Sequence, residues 1–346
     1  MKRKFVVLFA GALVVLLTVA MVGCGSDEKK SQATIIDDVV DTVAATVATN
    51  LKEARVADAA LPSADSIKVI SLIGDMLIQD AKLYAAFDGG VVVYDFDAKS
   101  YTVAASGEKL NAVAVHQEKV YVGGTRLFTV EDAALQPVTA DFEGEIESLH
   151  SFDDRLMIGT DNGLYATGAG GDEFLLGEVT VTAIASDPGG LWVGTRGDGL
   201  YRWDGDEFRR RHLRRDTTLF DYVNSLDFSH DHLYMGTPNG FHIYDGGRWE
   251  TLTALDGLPS DNVTMVDASN WVVYMATDEG VISYFDGDFI PVRKLNEKPA
   301  NAVRVYGRKV LAATDYDGIL MKSGDMVKTL VPADNGMNYN ILSLVP

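Results

Sequence analysis

His230 and His232 flank Asp231. An i,i+2 spacing sets both imidazoles on one face of a strand, where they would supply two ligands of a metal site. A third ligand is missing, so the tripeptide reads as a surface turn. The acidic turns at Asp204 and Asp206, Asp286 and Asp288, and Asp315 and Asp317 offer the hard oxygens that calcium takes. None supplies the full EF-hand ligand series, and Asp-Gly is also ordinary turn chemistry. Glu147 and Asp227 stand as isolated carboxylates for acid–base work, while His116 and His150 end neighbouring strands at different register positions. No G-x-S-x-G, phosphate-loop or H-E-x-x-H motif occurs. The sequence therefore predicts no catalytic residues, no resident metal and no cofactor.

Two other groups invite chemistry. Arg209, Arg210, Arg211, Arg214 and Arg215 crowd together, taking five of the chain's 30 basic residues. Arginine forks grip carboxylates and phosphates in pairs, which suits docking of an acidic polysaccharide, lipid phosphate or acidic protein. The plainer reading is an exposed outer strand that charge protects from edge pairing. Cys24 is the sole cysteine, which excludes intramolecular disulfides and cysteine-based zinc sites.

What surrounds Cys24 gives it a use. Lys2, Arg3 and Lys4 precede an almost unbroken apolar run over residues 5–22, and small residues follow. That order describes an export leader. The end of the run, Met21-Val22-Gly23-Cys24, resembles a bacterial lipobox, with Met where the family prefers Leu. The resemblance implies a signal peptide over 1–23 and lipid attachment at Cys24. It also implies outer-membrane sorting, because Gly25 rather than Asp follows the cysteine. An uncleaved membrane helix is the alternative. The full chain carries a net charge of −20, and loss of the leader removes three further positive charges. So acidic a surface argues against nucleic acid as a partner.

Residues 24–65 read as a lipidated tether and a spacer helix. Ile36, Val40, Val43, Val47 and Leu51 fall on one helical face, with Asp37, Asp38 and Asp41 early and Lys52 and Arg55 late. After Ser66 the period changes to short β-type runs. Starts of one run recur at Leu83, Val120, Leu156, Leu191, Leu233, Val273 and Val310, in steps of 35 to 42 residues. Such a period means one supersecondary unit copied along the chain. Each unit divides into four short strands separated by Gly, Asp and Asn, the blade of a β-propeller. The expectation is an all-β propeller over 66–346, preceded by one N-terminal helix. It has seven four-stranded blades, or eight if the runs at 66–72 and 340–345 form a reduced closing blade.

The residue nine before each start is Asn111, Glu147, Thr182, Asn224 and Asn301, with Asn262 displaced by two extra residues in its unit. These side chains either line the mouth of a central channel or cap turns through local hydrogen bonds. Gly159, Gly194 and Gly236 keep the second strand small where blades crowd, and the Thr that follows each suits a strand with a local hydroxyl bond.

The run LWVGTRGDGLYRWDGDEF from Leu191, with GLPSDNVTMV from Gly257, resembles the two-component-regulator propeller repeat. The resemblance spans about residues 74–345 and is clearest in units four to six. It implies an extracytoplasmic sensing or binding role and supplies no catalytic residues. The reading is a lipid-anchored, non-catalytic binding or sensing module of the cell envelope, held at the membrane by its N-terminal lipid, with a glycan, peptide or protein partner. The alternatives are an envelope-assembly scaffold and a propeller lyase or glycosidase.

Overall fold

The computed structural model describes residues 73–168, 170–211, 221–269 and 271–333. The expected leader, Cys24, the tether and spacer helix, and the extra runs at 66–72 and 340–345 lie outside the described residues.

Alternating apolar positions closed by turn residues make strands throughout. β1 (Ile73–Gln79), β2 (Lys82–Asp95), β3 (Ser100–His116), β4 (Lys119–Gly124), β5 (Leu127–Glu131) and β6 (Ala134–Val138) form one six-stranded antiparallel sheet in chain order. Five four-stranded antiparallel sheets follow, each with its strands side by side in chain order. They are β7 (Ile146–Phe152), β8 (Arg155–Thr160), β9 (Gly163–Gly168) and β10 (Glu173–Gly177); β11 (Val181–Asp187), β12 (Gly190–Thr195), β13 (Leu200–Trp203) and β14 (Phe208–Arg211); β15 (Ser225–Ser229), β16 (His232–Thr237), β17 (Gly240–Tyr244) and β18 (Trp249–Leu252); β19 (Val263–Ser269), β20 (Val272–Thr277), β21 (Gly280–Phe285) and β22 (Asp288–Pro291); and β23 (Ala300–Tyr306), β24 (Lys309–Thr314), β25 (Gly318–Ser323) and β26 (Met326–Val331). The first strand of each unit lies beside that of the next, and β23 returns to β1, so the ring closes as a β-propeller. Among the described residues the helical element is a 3-10 turn, Ala254–Asp256.

The blade count departs from the expectation of seven or eight: the described residues form six sheets. The cause lies in β2 and β3. Each runs on through the glycines where sequence spacing predicts a break, and the β2–β3 pairing merely shifts register between Asp88 and Gly90. The first half of β3 pairs with β2 and its second half with β4, so the first two sequence units share one sheet.

The core lies between neighbouring units. Ala183, Ala185, Trp192 and Leu200 of one sheet meet Val223, Leu233 and Met235 of the next. The largest cluster spans the closure, joining Ala302, Val303, Leu311 and Ile319 to Ile73, Met76, Leu83 and Val92.

Crowding between units explains the repeated glycines. A Cβ on Gly159 would fall 2.6 Å from Val181, on Gly194 2.4 Å from Val223, and on Gly236 2.8 Å from Val263. All three valines occupy the same register position, ten before their own second strand. Gly194→Ala is expected to cost about 1–3 kcal/mol through overpacking. The cost should shrink in a Val223→Ala background. Urea unfolding of the double-mutant cycle measures this, and additive effects would show that the two residues do not press on each other.

The threonines close turns. Thr160, Thr195, Thr237, Thr277 and Thr314 are buried, and their hydroxyls donate to the carbonyls of Gly163, Gly199, Gly240, Gly280 and Gly318 at 2.7–3.2 Å. Each hydroxyl also accepts a turn N–H, so it serves as donor and acceptor across the second-to-third strand connection.

Candidate functional site

Six residues before the second-strand starts, four units carry polar side chains: His150, Asp227, Asp267 and Arg304. Each reaches from its inner strand to the inner strand of the next unit. Asp227 Oδ2 accepts the Ala268 N–H at 2.7 Å, and Asp267 Oδ2 accepts the Val305 N–H at 3.0 Å. Arg304 Nε donates to the Met76 carbonyl at 2.7 Å, and its Nη2 pairs with Asp75 Oδ1 at 3.1 Å. Asp75 in turn accepts N–H bonds from Met76 and from Val113 of the following unit. A polar thread thus crosses the inner ring from β15 to β3. Asp227 is not the isolated carboxylate its sequence neighbourhood suggests.

The charges on this thread are not ordinary. Burial pushes the Asp227 carboxyl up to about 6; the Ala268 N–H opposes this, the nearby Asp267 carboxylate adds to it, and Arg304 opposes it. Burial also raises Asp75, outweighing its Arg304 partner. A carboxyl titrating near 6 can exchange a proton at neutral pH.

His116 and His150 are tied in the same direction. His116 Nδ1 lies 2.9 Å from Ser151 Oγ, and His150 Nε2 lies 2.9 Å from Ser186 Oγ. The two histidines differ in register, yet their serine partners sit at the same position of the next unit. Burial lowers both imidazoles, His150 to about 4, so they are neutral links at neutral pH.

The residues nine before the second strand also connect units. Asn111 Nδ2 donates to the Ile146 carbonyl at 3.0 Å and to Glu145 at 2.9 Å. Asn224 Nδ2 donates to the Val263 carbonyl at 2.8 Å, and the Thr182 hydroxyl reaches the Val223 carbonyl. Glu147 has no hydrogen to give; its neighbour Ser148 makes that bond to Val181, while Glu147 faces Arg196 at 3.7 Å. Asn262 lies 3.5 Å from Asp278, and its unit uses Thr264 for the cross-link to Ala300. Asn301 turns locally to Asp315 at 2.7 Å.

On the outer rim, β14 carries Arg209, Arg210 and Arg211. Arg209 pairs with Glu207 at 2.7 Å and Asp204 at 3.4 Å, and Arg210 pairs with Asp221 at 3.2 Å. Arg214 and Arg215 lie outside the described residues. The two histidines of the His230 turn do not converge on one site: His230 lies tilted against Trp271 of the next unit, ring centroids 3.7 Å apart, and His232 stacks beside Tyr234. Among the described residues no cluster of three or more metal-ligating side chains forms.

A roomy concavity lies elsewhere, and sequence reading missed it. A cleft of about 640 Å³ opens between residues 141–143 and β10, floored by Tyr165 of β9. Its walls are fixed. The Glu145 N–H donates to Asp161 Oδ1 at 2.8 Å, and Asn162 Nδ2 donates to Glu143 at 3.1 Å, pinning the inter-unit loop to the β8–β9 turn. Phe174 projects from β10 into the cleft and is 57% exposed. Asp141, Glu143, Asp172, Glu173 and Glu178 ring it. The one available sequence signal was the density of acids around Phe142 and Phe174.

Comparisons with known proteins bear on the fold. No family model matches the chain, and no curated protein matches it. The solved WD40 β-propeller domain of Doa1 matches at a TM-score of 0.58 and 16% identity, covering 77% of this chain and 96% of that one. YCF48 bound to D1 peptide matches at 0.56 and 12% identity, covering 74% and 94%. The chain is similar in fold to both. The extracellular domain of a putative one component system from B. thetaiotaomicron matches at 0.48 and 16% identity, covering 72% of this chain and 45% of that one.

Proposed function

We propose that this chain is a lipid-anchored, extracytoplasmic propeller that recognises a protein or peptide partner without transforming it. The observation that carries the reading is the cleft over β9 and β10: its volume falls within the range of ligand sites, its walls are pinned, and it displays an aromatic ring to solvent. YCF48, a protein of similar fold, has been seen with D1 peptide bound, which supports a peptide as the class of partner. In this reading the lipobox-like leader and Cys24 hold the body at an envelope membrane, and Gly25 supports the outer one. In this reading the Arg209–Arg215 cluster is a second, anion-facing contact, with Arg211 and the two arginines outside the described residues as its reach.

Capture of the lipidated chain from envelope membranes at low and high salt tests the reading. A stoichiometric partner, recovered at low salt, is expected. Recovery of a β-barrel assembly complex would turn the reading to an assembly scaffold. Polysaccharide turnover lost on Asp227→Asn would overturn the non-catalytic reading. Cys24→Ser should abolish palmitate labelling, and continued labelling would refute the anchor.

A further inference from the structure

We infer that the cleft over β9 and β10 takes a basic side chain from an extended peptide segment, seating its cation on the Phe174 ring. This rests on the recognition reading above and gives the partner its chemistry.

Phe174 is held in place without being covered. Its ring lies against two glycines: a Cβ on Gly177 would sit 2.5 Å from Phe174 Cζ, and one on Gly163 would sit 3.0 Å from Cε2. Tyr165 braces it from the side, ring centroids 5.0 Å apart at 47°. The glycines let the ring lie flat, and the remaining face looks into the cleft. A ring fixed this way has lost its rotamer freedom before any ligand arrives, which lowers the entropy cost of binding.

The charge around the ring selects the ligand. An apolar occupant would strip water from the surrounding carboxylates and return nothing to them. A cation answers both features, since an aromatic face attracts it and the carboxylates neutralise it. Three of the acids are already engaged: Glu173 pairs with Arg155 at 2.7 Å, Asp172 accepts the Asp141 N–H at 2.7 Å, and Glu143 accepts from Asn162 Nδ2 at 3.1 Å. Asp141 and Glu178 join no ion pair among the described residues. The acids are spread around about 640 Å³ rather than converging, which suits a guanidinium or ammonium on a side chain better than a bare metal ion.

β10 makes the segment extended. It is the last strand of its sheet, so its outer edge offers backbone groups to a further strand. A peptide laid along it would present alternate side chains toward the cleft.

Fluorescence anisotropy of the full chain in detergent, with labelled alternating Lys–Ala and Glu–Ala peptides, tests the inference. The Lys–Ala peptide is expected to bind about tenfold or more tightly than the Glu–Ala peptide at low salt. Phe174→Leu keeps apolar bulk and removes the ring face, so it should weaken Lys–Ala binding about three- to fivefold. Phe285→Leu removes a comparably exposed ring on another sheet and should leave affinity unchanged. Asp141→Asn with Glu178→Gln should weaken binding and flatten its salt dependence. Equal affinity for the two peptides would overturn the inference, as would Phe174→Leu binding like the native chain. A partner captured from envelope membranes that binds the Phe174→Leu chain undiminished would overturn it too, while leaving the recognition reading intact.

Discussion

Arg304→Met is expected to lower stability by about 3 kcal/mol, seen as a drop in the urea midpoint followed by tryptophan fluorescence. Arg304 joins the last unit to the first across 228 positions of chain. Other neighbouring units are also joined by a connecting loop; among the described residues this interface is made by side chains and inner-strand packing. Methionine preserves most of the bulk beside Met265 and Met76 but removes every donor. It leaves the Met76 carbonyl without its partner and the Asp75 carboxylate without its counter-charge in a site where burial already raises its pKa. Breaking such a pair from one side costs far more than the pair contributes as a unit. Adding Asp75→Asn should therefore recover part of the loss. Apolar packing at the same joint, including the Phe96–Tyr306 stack at 4.5 Å, keeps the ring closed in both variants. A loss below about 0.5 kcal/mol would mean that the Val113 and Met76 N–H groups alone carry Asp75.

Asp227→Asn is expected to raise stability at pH 8 by an amount on the order of 1–3 kcal/mol and to leave it unchanged near pH 4. The native carboxyl titrates near 6 against an ordinary 3.8. Its favourable contribution is full below pH 4 and is lost as pH rises through 6, because the folded state must then hold a buried charge. Asparagine has no charge to hold, and its Oδ1 still accepts the Ala268 N–H. The buried imidazoles act in the opposite sense. Burial lowers His150 and His242 from 6.5 to about 4, so their contribution is lost as pH falls from 6.5 toward 4. Between pH 4 and 6.5 the two effects oppose each other in the native chain. Removing the Asp227 carboxyl should leave the histidine effect bare and steepen the acid loss. A pH profile of urea midpoints identical to that of the native chain would show that Asp227 ionises near its ordinary value.

The repeat was legible because its parts are local. Left-handed backbone favours glycine whatever surrounds it, as at Gly163, Gly240 and Gly280, and a threonine hydroxyl finds its carbonyl three or four residues along the same chain. The same counting that aligned Asn111, Thr182 and Asn224 would also have aligned His150, Asp227, Asp267 and Arg304, six before the second strand. That column went unread because three of the seven units carry leucine or alanine there. The sheet count was not legible in the same way. Whether a strand bends through Gly89, Gly90 and Gly107 or stops at them depends on what packs against both sides, and here β2 and β3 run on.

The amino-acid order by itself determined the all-β propeller, its strand pattern, the turn chemistry and the small residues where units crowd. The strands and turns follow from backbone preference or from bonds within a few residues, and the small residues show in the sequence because the repeat places them at one register position. Only the tertiary structure decided that two units share one sheet, that Asp75 and Arg304 meet, and that Phe174 lies on two glycines beneath a ring of acids. Those relations join residues up to 229 positions apart, and the ring must be folded before the distant ones exist.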